Sequence, residues 1–183
     1  MAPDLEKSVA VTFEDFLTGT PPGTFSNVSN LGTRYLTSSG DPRIRLLLPE
    51  ISLYCSTPKT CEGDRVFKSS EDISAKAKER RLVFVVYTCK NCSTETKVFA
   101  LWFMAGDDAK SGAAYKYGEL PDFGPPTPSR LISLIGPQKN LYLKGRRAEN
   151  QGMGIAAFAY YRRVIEDQKD RIFDEIIKVA RRV

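Results

Sequence analysis

The chain's chemistry-bearing spacing lies in its four cysteines. Cys89 and Cys92 form a Cys-x-x-Cys pair where one apolar, β-branched run gives way to the next, and Cys55 and Cys61 form a looser pair with five residues between them. Two turns of this kind converge four thiolates on one tetrahedral ion, at about 2.3 Å per bond for zinc. Four sulfur ligands complete the coordination shell and leave no position for water. The expected cofactor is therefore one structural Zn2+ held by Cys55, Cys61, Cys89 and Cys92, and not a catalytic one. Lys90 and Asn91 supply the tight turn of the second pair, with positive charge that favours thiolate over thiol. In the first pair, Ser56-Thr57-Pro58-Lys59-Thr60 has to fold back as a longer knuckle. Two other readings exist. A redox dithiol wants its Cys-x-x-Cys opening a helix in a βαβ setting, which is missing here, and four buried core thiols would need no metal at all.

The elements needed to position such a site are visible around it. Residues 82–88 and 97–103 are rich in Val, Phe, Tyr and Trp and read as strands on either side of Cys89 and Cys92. Residues 51–54 and 65–67 are shorter strand candidates flanking the first pair. Strand, knuckle, strand, repeated once, is the plan of a zinc ribbon. The expected fold class is α+β: a four-cysteine zinc ribbon with a small antiparallel sheet, followed by a C-terminal helical hairpin. The expected domains are a loop-rich arm over residues 1–43, the ribbon over 44–105, a Pro/Gly hinge over 106–126 and a helical region over 127–183. In the arm, Phe13, Phe16 and Leu17 make one helical turn, and Phe25 and Tyr35 pack it onto the rest. Residues 69–81 are polar and form a capped turn or a solvated hairpin loop. In the hinge, Asp107-Asp108 and Pro121, Gly124, Pro125 and Pro126 leave no pattern for a sheet. Beyond it lie a short helix behind Thr127-Pro128, a second helix over 138–150, a break at Gly152 and Gly154, and a long amphipathic helix from about Ile155. The long helix carries an apolar stripe of Tyr161, Ile165, Ile172, Ile176, Val179 and Val183 for a neighbouring helix or a partner chain.

Composition removes several functions. Histidine is absent, which excludes His-containing metal sites and every Ser-His or Cys-His nucleophile pair. The 183 residues are 42% hydrophobic and 27% charged, a globular balance. No apolar stretch approaches the length of a membrane span, and residues 1–15 lack the apolar core of a signal peptide. The expected location is the cytoplasm, where thiols stay reduced and grouped cysteines point to metal before disulfide. A net charge of +5 permits contact with nucleic acid. The candidate phosphate contacts are the arginine pairs Arg80-Arg81, Arg146-Arg147 and Arg181-Arg182. A fourth pair, Arg162-Arg163, has acidic partners one helical turn on, the sign of a solvated face. Gly145 and Gly152-x-Gly154 fit no phosphate-loop spacing and read as a helix–helix turn.

Ala156-Ala157-Phe158-Ala159, followed by Arg162-Arg163-Val164-Ile165-Glu166 and preceded by a cysteine knuckle, resembles a bacterial helical domain of unknown function. That domain is found alone and appended to restriction-enzyme subunits. The resemblance covers about half the chain. It implies a shortened member of the family in a defence or DNA-associated context, and it supplies no catalytic residues. Three functions follow in order of expectation. The first is a non-catalytic interaction module that binds a protein partner or itself through the C-terminal helix. The second is a nucleic-acid-binding accessory factor, and the third an enzyme with an unrecognised site.

Overall fold

The computed structural model describes residues 10–57 and 61–181, without the side chains of Asp170, Ile172, Glu175 and Val179. Expectations that rest on residues 1–9, Pro58, Lys59, Thr60, Arg182 and Val183, or on the side chains of Ile172 and Val179, lie outside the described residues. The chain divides into two units at Asp122/Phe123.

In the first unit, Thr12 caps a short helix, α1 (Phe13–Gly19), by accepting the Asp15 N–H at 3.0 Å. The strands are β1 (Val11–Thr12), β2 (Thr24–Ser29), β3 (Gly32–Leu36), β4 (Pro42–Leu46), β5 (Ile51–Cys55), β6 (Gly63–Lys68), β7 (Ser74–Ala75), β8 (Arg81–Cys89), β9 (Thr96–Ala105) and β10 (Gly112–Leu120). Seven of them form one mixed sheet in the order β1-β2-β10-β9-β8-β6-β5, and β3-β4-β7 form a second. β1 pairs with β2 in parallel; the other pairings are antiparallel. α1 touches β1, β2 and β5, strands from both ends of the large sheet, which therefore curls into a half-barrel. Inside the curl, Phe16, Phe67, Val85, Tyr87, Phe99, Leu101 and Phe103 are buried as one core.

This architecture overturns the expected zinc ribbon. The four strands that flank the cysteines are present, but they continue without a break into β10, β2 and β1. The supposed loop-rich arm supplies α1 and strands β1 to β4. Its strands escape a hydrophobicity reading because Thr, Ser and Asn alternate with the few apolar residues of β2. The supposed hinge holds β10, a nine-residue strand between β2 and β9. Its β9–β10 turn is built by Asp108, whose Oδ1 accepts the Ser111 N–H at 3.0 Å, while the Gly106 N–H donates to the Ser111 carbonyl at 2.8 Å. Within 69–81, β7 pairs with β4.

One inward group of β10 is Lys116, fully buried. Its Nζ donates to the Leu17 carbonyl at 2.7 Å, to the Thr20 carbonyl and to Glu119 Oε2 at 3.0 Å. The ammonium also stands over the rings of Phe16 and Phe99, at 5.7 and 5.2 Å from their centroids. Glu119 is shared with Lys97. The carbonyls at the end of α1, which no helical N–H can reach, are thus satisfied by a cation on the neighbouring sheet. Burial pushes the Lys116 ammonium down from its ordinary range, and Glu119 opposes that shift.

The second unit holds α2 (Ser129–Ile135), a 3-10 turn (Gly136–Gln138), α3 (Lys139–Asn150) and α4 (Gly154–Ala180). Gly145 lets α3 approach α4: a Cβ there would lie 2.6 Å from Tyr161 Cε1 and 3.2 Å from Tyr160 Cβ. Ala148, Ala157 and Val164 are buried, and Gln168 and Arg171 donate to the Ile135 and Leu134 carbonyls. The helices therefore pack through small and polar positions. The large aliphatics of the expected stripe point away: Ile165 is 68% and Ile176 57% exposed, with Phe158 and Phe173 beside them in water. For Ile165 and Ile176, burial against the preceding helix is corrected accordingly. Arg162–Glu166 and Arg163–Asp167 are ion pairs at 2.8 and 3.5 Å.

Candidate metal centre

Two hairpins carry the four cysteines. Cys55 ends β5, and Cys61 stands in the turn to β6; Cys89 ends β8, and Cys92 stands in the turn to β9. In both turns the residue after the second cysteine has positive φ, Glu62 at 30° and Ser93 at 57°, which swings the chain back into the next strand. The Cys61 and Glu62 N–H groups both donate to the Thr57 carbonyl at 3.2 Å. In the second turn the Ser93 N–H donates to the Cys89 carbonyl and the Cys89 N–H to the Glu95 carbonyl. Strand β6 joins the hairpins, pairing Phe67 with Cys89, and the Lys90 N–H donates to the Val66 carbonyl one step further.

The four sulfurs lie within 4.8 Å of one another, and Cys55, Cys61 and Cys89 are buried. Cys55 Sγ is 3.7 Å from Cys92 Sγ, and Cys61 Sγ is 3.8 Å from Cys89 Sγ. A tetrahedron of sulfurs at about 2.3 Å from its centre has edges of about 3.8 Å. A disulfide needs about 2.05 Å. The cluster thus has the dimensions of a metal cage, and both close contacts cross from one hairpin to the other. An ion there would clamp the turns together where the short β6–β8 ladder ends.

The surroundings suit thiolates. Asn91 Nδ2 donates to Cys61 Sγ at 3.1 Å, and Thr57 Oγ1 lies 3.5 Å from the sulfurs of both Cys55 and Cys92. Arg65 holds the Cys61 carbonyl. The Glu95 backbone N–H, with Thr57 and Thr94, brings the Cys92 thiol down to about 5; burial pushes Cys55 up to about 11. The Lys90 Nζ bridges to Glu50 at 2.9 Å. Thr57, Asn91, Arg65 and Glu95 are the supporting residues. Sequence spacing offered a signal only for Asn91 and Thr57, which lie between paired cysteines. In protein stripped of metal without unfolding, alkylation at neutral pH should modify Cys92 first and Cys55 last, as read by peptide mass spectrometry. Equal rates at the four positions would contradict this environment. The sign for stability follows: the depressed Cys92 contributes stability to the metal-free fold that is fully present above the ordinary thiol range and is lost as pH falls toward 5.

Arg80 and Arg81 belong to the sheet unit, and Arg146, Arg147 and Arg181 to the helical unit. Arg81 Nη1 donates to Glu79 at 3.4 Å. Arg146 bridges to Glu149 at 3.2 Å and also donates to the Pro125 carbonyl, and Arg147 has a partner of its own. Arg80 and Arg181 are exposed. Elsewhere, Arg34, Arg43 and Lys76 line an open groove of about 370 Å³ with Asp41 beside them. In comparisons with known proteins, no family model, no curated protein and no solved structure matches the chain. Among the described residues, no helix is long and apolar enough to cross a membrane.

Proposed function

We propose that the chain is a non-catalytic interaction module whose sheet is locked by one structural zinc ion, working in a bacterial defence or DNA-associated setting. The observation that carries this reading is the gathering of four sulfurs within 4.8 Å of one another, with two of their separations, 3.7 and 3.8 Å, at the edge length of a tetrahedral thiolate cage. Zinc suits four thiolates without demanding a particular d-electron geometry, and a filled shell leaves no position for substrate. The exposed apolar side of α4, with Phe158, Ile165, Phe173 and Ile176, supports a protein-binding role for the helical unit.

Protein purified without added metal should contain one equivalent of zinc by elemental analysis. Cobalt exchanged into the site should show the absorption of a tetrahedral thiolate centre, unchanged when imidazole or cyanide is added, because a closed shell has no vacancy for either. A cobalt spectrum that shifts with these ligands would open the coordination sphere and overturn the structural assignment.

A further inference from the structure

The large sheet has a second face, turned away from the core, and no charged residue stands on it across β2, β8, β9 and β10. The registers sort that face into rows. One row is Leu82, Trp102, Tyr115 and Phe25, paired in turn across the four strands. The next is Phe84, Ala100 and Gly118, and the third Val86, Val98 and Leu120. Leu82 is 62%, Phe84 66% and Leu120 68% exposed, and Tyr117, at the bulge between Lys116 and Gly118, packs edge-on against Tyr115 in the open.

We propose that this face packs against the same face of a second copy of the chain. Area supports it: Leu82, Phe84, Val86, Tyr117 and Leu120 leave on the order of 500 Å² of side chain in water, the upper end of what a monomer's largest patch shows. With the rings of Trp102, Tyr115 and Phe25, the face reaches the scale of one side of a standard interface, about 800 Å² per partner. Shape supports a like partner. The first row is a ridge of large side chains, whereas Ala100 and Gly118 form a hollow, and a Cβ added at Gly118 meets nothing within 4 Å. A face bearing both a ridge and a hollow is self-complementary under a two-fold axis, each copy's ridge entering the other's hollow. Nucleic acid does not fit this surface, because phosphate would find no cation on it. The interface is distinct from the α4 surface named above.

Light scattering at tens of micromolar protein tests the interface. The native chain should have twice its 20.4 kDa mass. Gly118→Phe fills the hollow without a clash inside one copy, and should give a 20.4 kDa monomer that keeps its metal and its circular dichroism. Phe84→Glu, at an exposed position, should do the same, whereas Ile165→Asp on α4 should leave the dimer intact. A native monomer would overturn the proposal. So would a dimer that survives both sheet substitutions, or one that only Ile165→Asp dissociates.

Discussion

Replacing Cys89 with serine is expected to release the metal and to cost about 5 kcal/mol of stability or more, since ion binding at a structural site is itself folding free energy. Cys89 is buried, ends β8, and holds the register of β6 through Phe67. Losing its sulfur unties the two hairpins at the point where their shared ladder is shortest. For a unit of this size the loss should lower the melting temperature by about 20 °C, measured by calorimetry with and without a chelator. Cys92→Ser should cost less, because Cys92 stands at the partly exposed margin of the cluster. Should metal-free protein melt at the same temperature as the native one, the sulfurs would be no more than core residues.

The other large effect is expected at Lys116. Lys116→Met should cost about 3–5 kcal/mol, the range for breaking a buried pair by removing one partner. The substitution strips the Leu17 and Thr20 carbonyls of their donor and leaves Glu119 with Lys97 alone. Lys97→Met should cost less, since Lys97 is partly open to water. Adding Glu119→Gln to Lys116→Met should recover part of the loss, because it removes the half-neutralised carboxylate. Urea denaturation of the three variants and the double variant gives the coupling directly. Equal losses from Lys97→Met and Lys116→Met would show that burial does not set the strength of this network.

The cysteine cluster was legible because spacing within one short turn survives any larger arrangement of strands. The four strands beside it were legible for a similar reason: Phe84 to Tyr87 and Val98 to Phe103 are β-forming on both faces, so no choice of face was needed to see them. β10 was hidden by an inversion. Its alternation places Lys116 and Glu119 inward and Tyr115 outward, the reverse of the rule that charge faces water, and the prolines after Leu120 completed the disguise. β2 was hidden by polarity: of its six residues only Phe25 and Val28 are hydrophobic. In α4 the error was one of size. The stripe of isoleucines looked like the packing face, but helix approach is set by Gly145 and by Ala148 and Ala157, which carry little hydrophobic signal.

The sheet order also dictates when its parts can form. The hairpins β5–β6, β8–β9 and β9–β10 join near neighbours in the chain and close over short loops, at the speed of local contacts. The longer ladder of β2 waits for β10, since Val28 meets Gly112 and Phe25 meets Tyr115, and until then β2 has only the two-residue β1 to pair with. On a ribosome, β2 thus waits for its main partner while residues 30–111 are made. Pairings of such long sequence separation slow folding and leave an open strand edge for other nascent chains. If the proposed site holds its ion, metal capture by the two hairpins would be an early checkpoint in this order, fixing the middle of the sheet before its ends can dock. A chain stalled or cut before residue 112 would keep its four cysteines and still lack the strand that carries the longer ladder of β2.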